Sequence, residues 1–298
     1  MMLSIFAETK TQINMESIKD SQTLQIGKYA DILMDRWFKR TFGSEQRKRL
    51  TELLLQLLIP EHDIVSIKLA PIEHVNPFEE DKDIRVDVEC TDEDGTRFIV
   101  ELQLAPKKNF YERAIFNSSF GIQQQIPVGV KRYDYSPVYF IGIMDFSLHE
   151  ESDKMLYRYN IREVESNELM SDRLQYIFIE LPNVVKRKED AKTLMQRVMY
   201  SIKNLPRMDS IPKGWDKDEI IKLLFDYAKI ANFAAEERVK YINDMTTKRD
   251  IENQIEYAAE KGEEKGRKET ARNFKHLGVP AETICKATGL SAEEVAAL

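Results

Sequence analysis

Cysteine is scarce in this chain: Cys90 and Cys285 stand far apart in 298 residues and form no CxxC pair. That spacing offers neither a disulfide framework nor a zinc site and is compatible with a reducing compartment. The four histidines, His62, His74, His149 and His276, lack metal-ligand spacing, so no metal chemistry is assigned to them. No apolar run approaches the roughly 18 residues of a membrane-spanning helix, and the N-terminus lacks a basic segment followed by an apolar core. Cytoplasmic residence, with no membrane partner, is the default expectation. An excess of positive charge is also missing: 44 Lys and Arg face 51 Asp and Glu, for a net charge of −7. A uniformly basic nucleic-acid coat is thereby excluded, because backbone binding relies on clustered cations. Local clusters remain at Arg36, Lys39, Arg40, Arg47, Lys48 and Arg49, and at Lys107, Lys108 and Arg113. The same residues fit ordinary solvated helix faces equally well.

The chain does have apolar content, 42% hydrophobic beside 32% charged, sufficient for a substantial core in one main domain with an appendage. Its most informative stretch is Arg85-Val-Asp-Val-Glu89, then Asp92-Glu-Asp-Gly95, then Arg97-Phe-Ile-Val-Glu-Leu-Gln-Leu104. It reads as a β-hairpin. Successive side chains on a strand point to opposite faces, so Phe98, Val100, Leu102 and Leu104 share one face while Ile99, Glu101 and Gln103 share the other. On the first strand Val86 and Val88 oppose Arg85, Asp87 and Glu89. A two-residue Asp94-Gly95 loop would set a polar face beside an apolar one. A three-residue loop, Glu93-Asp94-Gly95 with Gly95 left-handed in a G1 bulge, sets Asp87 opposite Glu101 and Arg85 opposite Gln103, and is the register expected.

In that register two carboxylates face each other with Cβ atoms about 5 Å apart, a destabilising pair unless something compensates. A divalent cation would do so, and hard oxygen ligands with room for water and phosphate oxygens suit Mg²⁺. Such an ion stabilises charge on a phosphate and generates hydroxide from bound water. Gln103 can orient a water or phosphate oxygen through its amide but carries no charge. The pattern taken alone fits a solvated polar face on an antiparallel hairpin as well.

The order Asp, acidic turn with Gly, then Glu-x-Gln-Leu resembles the PD-(D/E)XK nuclease family transposases, also called recombination-promoting nucleases. Upstream, Asp35-Arg-Trp-Phe-Lys-Arg-Thr-Phe-Gly43 is similar to the family's N-terminal motif, Asp-x-x-Phe-Lys-x-x-Phe-Gly. Downstream follow Tyr111-Glu-Arg-Ala114, Gln123-Gln-Gln125, Gly129 and Tyr133, then Ile143-Met-Asp-Phe146 and Phe178-Ile-Glu-Leu-Pro182. The resemblance covers residues 26 to 183 and the tail. It implies a restriction-endonuclease-like α/β fold, a mixed sheet flanked by helices, and Mg²⁺-dependent cleavage of DNA, with Mn²⁺ a substitute. Asp87, Glu101 and Gln103 match the catalytic signature, Asp87 and Glu101 as metal ligands. Where the wider superfamily commonly carries Lys this chain has Gln103, so metal and water must supply more of the catalysis. The resemblance also implies an acid from the first helices, with Asp35 and Glu52 left as alternatives, and Arg113 is a candidate phosphate contact against the reading of a surface ion pair. Relatives tend to have Leu-Asn where this chain has Leu55-Gln56, which leaves Gln56 without a role.

Along the chain, residues 1 to 25 read as a loose lead, 26 to 183 as the nuclease-like domain, 184 to 247 as a helical subdomain, and 248 to 298 as a charged helix with a terminal helical hairpin. Ile32, Trp37, Phe38 and Phe42 suggest a short amphipathic helix interrupted at Gly43 and Ser44, and Leu50, Leu53, Leu54, Leu57 and Leu58 stripe the next. Ile64 to Pro71 reads as a strand, Asn76-Pro77 as a loop, and Asn109 to Ile126 as a helix. Val138 to Met144 is apolar enough for a buried central strand beside the hairpin, followed by strands at Tyr157 to Glu163 and Tyr176 to Leu181. Helices are expected at Ala191 to Ile202, Asp218 to Phe233, Ala235 to Ile242 and Lys248 to Leu277. Gly262-x-x-x-Gly266 lacks the apolar surroundings of a membrane dimer motif and marks a close helix contact or a flexible point. At the end Ser291 caps a helix with Glu294 at capping-box spacing. That tail resembles part of a helix-turn-helix, but Glu293 and Glu294 are its charged groups, so packing or homo-oligomerisation is as good a reading as DNA contact. Two functions follow: a DNA endonuclease tied to recombination or mobile elements, or a catalytically inactive nuclease fold that binds DNA or assembles partners.

Overall fold

The computed structural model of the protein describes residues 26–70, 73–74, 84–106, 108–129 and 131–298, with the backbone alone at 73–74 and 84–85. The expected lead at 1–25, the Asn76-Pro77 loop, Lys107, and the side chains of His74 and Arg85 lie outside the described residues. Those described divide into compact units at 26–233 and 234–298.

In the first unit, α1 (Asp35–Phe42) buries Trp37, Phe38, Thr41 and Phe42. With 3.6 residues per turn that leaves Asp35 and Lys39, one turn apart, together on a flank. Asp35 opens the helix, where a negative charge complements the dipole, and Gly43 ends it. The next helix, α2 (Lys48–Leu58), buries Leu50, Leu54, Leu55 and Leu58. Gln56 now has a role: its amide donates to the His62 carbonyl and accepts from the Ile64 amide, both at 2.9 Å, turning the chain toward the sheet.

Six strands form that sheet in the order β1-β4-β5-β6-β8-β7: β1 (Ile67–Leu69), β4 (Val88–Asp92), β5 (Arg97–Gln103), β6 (Val138–Met144), β7 (Leu156–Arg162) and β8 (Leu169–Glu180). The central strands β5, β6 and β8 run parallel, and the flanking pairs are antiparallel. One face packs on α1, α2, α4 (Leu194–Asn204) and α5 (Glu219–Ala228), a core containing Val100, Ile141, Ile179, Leu54, Ile202 and Leu224. The other packs on α3 (Phe110–Gln123), with Ile99, Phe110, Ala114, Phe140 and Phe178. All seven residues of β6 are buried, as a parallel strand covered on both faces requires.

The hairpin has the odd-length turn. Val88 pairs with Val100 and Thr91 with Arg97; the Asp92 amide donates to the Thr96 carbonyl at 3.0 Å, and Gly95 has φ +81°. Asp92 fastens the turn through Oδ1, which accepts the amides of Asp94 and Thr96.

Two expectations fail on the first hairpin strand. It is broken at Asp87: Ile84–Arg85 forms β3, which pairs with β2 (Glu73–His74), so Arg85 lies opposite Glu73 and not Gln103. Val86 accordingly joins the α3-side core while Val88 joins the other. The bend between them reverses the alternation that a continuous strand imposes.

In the second unit a single 42-residue helix, α6 (Ala235–His276), replaces the two helices expected there. Its C-terminal end packs with α7 (Ala281–Thr288) and α8 (Ala292–Ala297) around Ala271, Ile284, Leu290 and Val295. Ser291 and Glu294 form the expected capping box. A Cβ at Gly262 or Gly266 would meet nothing within 4 Å, so no described helix approaches there.

Gly95→Ala tests the turn: an alanine there costs about 1–2 kcal/mol for the left-handed backbone, and its Cβ would lie 2.8 Å from Ser136 Oγ. A lower urea midpoint with an unchanged slope is expected.

Candidate active site

Asp87 occupies the bend where the first hairpin strand breaks. Extending the Val88–Val100 register by one residue sets it across from Glu101. Its Oδ2 accepts the Leu102 amide at 2.8 Å, and its Oδ1 lies 3.2 Å from Lys39 Nζ. Hydrogen-bonded pairs alternate along an antiparallel ladder, so that amide is the next one due to bond the neighbouring strand beyond Val100. A carboxylate oxygen takes the carbonyl's place, which fixes Asp87 against the strand that carries Glu101.

Glu101 is 1% exposed. Its Oε1 accepts Asn117 Nδ2 at 2.5 Å, and its Oε2 accepts Arg113 Nη2 at 2.7 Å and Gln103 Nε2 at 3.3 Å. Arg113 and Asn117 stand four apart on α3 and therefore face the same way. The helix can lie close because Gly142 is the β6 residue opposite Glu101; a Cβ there would sit 3.1 Å from Phe110 Cζ and 3.2 Å from Phe178.

Burial raises the Glu101 carboxyl above its ordinary pKa; Arg113 and Asn117 oppose the shift and the Asp87 charge adds to it. Burial likewise raises Asp87 against the pull of the Leu102 amide and Lys39, with Asp35 adding repulsion. Two acids thus share a field in a site that hydrates neither well. Burial pulls the Lys39 ammonium down, but hydrogen bonds to Asp35 and Asp87 outweigh it and hold Lys39 above its usual value.

Asp35 and Glu52, the two alternatives for the extra acid, have different partners. Asp35, 2.8 Å from Lys39 Nζ, shares that ammonium with Asp87. Glu52 instead accepts the Ile67 amide at 3.3 Å and Arg49 at 3.4 Å, tying α2 to β1. Arg113 pairs with Glu101. Of the other cations in the suspected basic clusters, Arg40 donates to the Tyr227 carbonyl, Arg49 to Glu219, and Lys48 lies 3.5 Å from Glu45. Sequence reasoning missed Asn117, although its spacing from Arg113 was available, and read Lys39 as a surface charge rather than a partner of Asp87. Cys90 is buried, and that burial, with Glu89 adding, raises its thiol pKa; it is not a reactive thiolate.

Among the described residues no three His, Cys, Asp or Glu side chains converge as a metal cage. Two carboxylates with oxygen donors alone fit an ion that keeps waters and shares substrate phosphates, the habit of Mg²⁺.

The raised pKa values carry a sign. An acid raised in the fold favours its protonated form there, so its stabilisation is present at low pH and is lost as pH rises through the folded value. The double variant Asp87→Asn/Glu101→Gln is therefore expected to gain more stability over the parent at about pH 7 than at about pH 4. Urea midpoints at both pH values check it; an equal difference at the two would refute the electrostatic account.

No curated protein and no solved structure matches the chain. The family described as PD-(D/E)XK nuclease family transposase matches residues 32–258, a span that holds the sheet, α1 to α5 and every residue of the site. With the six-strand mixed sheet and its flanking helices, this match establishes that the chain belongs to the PD-(D/E)XK nuclease family transposases.

Proposed function

We propose that the protein is a Mg²⁺-dependent DNA endonuclease acting in recombination or mobile-element biology, with Asp87 and Glu101 holding the ion. The observation that carries this reading is the pair of carboxylates, Glu101 buried and Asp87 partly buried, brought together by the hairpin register, in a chain whose family is a nuclease family. When bound, the ion polarises the phosphate and lowers the pKa of a bound water; Mn²⁺ would substitute.

The chain's own residues divide the remaining tasks. Leu102, through its amide, and Lys39 fix the direction of Asp87. Arg113 and Asn117 fix Glu101. Gln103 places a neutral amide beside Glu101, able to orient a water or a phosphate oxygen but unable to accept its proton. Lys39 and Arg113 supply the positive charge that Gln103 lacks, and Asp35, through Lys39, is the acid of the first helix that belongs to the site.

A second reading, a catalytically inactive fold that binds DNA, is favoured by one observation: both carboxylates already have cationic partners.

Supercoiled plasmid incubated with Mg²⁺ separates these readings. Cleavage by the parent protein should fall at least about 100-fold in Asp87→Ala and in Glu101→Ala, a loss of about 2.7 kcal/mol of transition-state stabilisation. Gln103→Ala should lose about tenfold, as for one orienting hydrogen bond. Equal cleavage by the alanine variants would overturn the assignment. Binding without cleavage by the parent, with no Asp87-dependent heat on metal titration, would establish the second reading.

A further inference from the structure

On the α3 side of the sheet, away from Asp87 and Glu101, a second group of polar side chains is joined in series. Glu180 ends β8, fully buried. Its Oε1 accepts the Leu148 amide at 3.1 Å and lies 2.6 Å from His149 Nδ1, while its Oε2 accepts Asn183 Nδ2 at 3.0 Å. A carboxylate acceptor on Nδ1 sets the tautomer that leaves Nε2 free to accept. The group at Nε2 is the Tyr159 hydroxyl, 2.9 Å away. The Tyr157 ring stacks on the imidazole at 3.8 Å, with 15° between planes, and holds its orientation. The Tyr159 ring also meets the Tyr111 ring edge-on at 6.4 Å, and Tyr111 reaches solvent at 41% exposure.

This is the arrangement of an activated nucleophile: a hydroxyl within hydrogen-bond reach of a base, and the base oriented by a buried acid. We propose that Glu180, His149 and Tyr159 form a metal-independent transesterification site, at which Tyr159 attacks a DNA phosphodiester. The proposal shares with the endonuclease reading the substrate class alone. Registers Glu101–Gly142, Gly142–Phe178 and Phe178–Tyr157 run across the sheet, so the strand that carries Tyr159 lies three strand spacings, about 14 Å, from Glu101, and the strand that carries Glu180 lies two. The Phe110 and Phe178 rings, in contact at 5.2 Å, pack over Gly142 between them.

The step balances without a co-reactant. As Tyr159 Oη bonds to phosphorus, its proton passes to His149 Nε2; the phosphorus–oxygen bond to one deoxyribose breaks, and the leaving oxygen takes that proton from His149. Glu180 holds the imidazole throughout, and the reverse sequence reseals the strand. Burial and the Tyr111 hydroxyl hold the Tyr159 phenol above its ordinary pKa, so the resting residue is a phenol that needs a base at the moment of attack. Lys154 lies over the Tyr157 ring at 4.9 Å and puts a positive charge beside this group.

The test uses the full chain in EDTA with thymidine 5′-(p-nitrophenyl phosphate) and its 3′ isomer, activated diesters that need no recognition sequence. The expected result with one isomer is a burst of one equivalent of nitrophenolate and a nucleotidyl group on the Tyr159 peptide by mass spectrometry. Tyr159→Phe, which keeps the ring, should abolish both. His149→Gln should slow the burst at least about 100-fold, whereas a merely structural imidazole would change the urea midpoint and not the burst rate. Asp87→Ala should label normally, which separates this proposal from the metal site. Absence of label on Tyr159 in the parent protein, or equal labelling by His149→Gln, overturns it.

Discussion

A single hydrogen bond organises the acidic site: the Leu102 amide donates to a side chain, Asp87 Oδ2, where the ladder calls for a backbone carbonyl. Because that amide is rigidly part of β5, the carboxylate is located by the sheet itself rather than by its own rotamer. The cost is the loss of strand pairing before Val88, and β3 turns away to pair with β2. A strand that ends early thus sets an acid at its broken end, next to an acid on the intact neighbour.

The second constraint is charge. A buried carboxylate with a second acid beside it persists in a folded protein only with compensation, and it arrives from the helices on opposite faces of the sheet: Lys39 from α1, Arg113 and Asn117 from α3. Each helix depends on a packing condition. For α1 it is the burial of Trp37, Phe38 and Phe42, which turns the Asp35–Lys39 flank toward the hairpin; for α3 it is the absence of a side chain at Gly142. Core packing and site electrostatics are therefore one problem, and a larger residue at position 142 would displace Arg113 before it touched any acid.

Much of this was legible in the residues. The three-residue turn followed from keeping polar and apolar faces separate, and the register agrees. The buried central strand, the terminal capping box and the order of helices and strands were readable from apolar runs and punctuation. What could not be read depended on contacts between distant segments. A carboxylate capturing the Leu102 amide leaves no trace in alternation, so alternation alone puts Val86 on the wrong face and Arg85 beside the wrong partner. Asp35 and Glu52 look alike as sequence, and their difference is tertiary: one shares Lys39 with Asp87, the other holds the Ile67 amide. The histidines, judged by metal-ligand spacing, hid the link from His149 to Glu180, which spans 31 residues. The long α6 reads as two helices because residues 243–247, Asn-Asp-Met-Thr-Thr, have low intrinsic propensity, yet the helix runs through them.

The central claim is that Asp87 and Glu101 act together on one divalent ion. Anomalous diffraction from crystals soaked in Mn²⁺ tests it most directly. A manganese peak between the two carboxylates, with Lys39 or Arg113 drawn off them, is the predicted result. Saturating Mn²⁺ with no peak there, and both acids still held by Lys39 and Arg113, would contradict it.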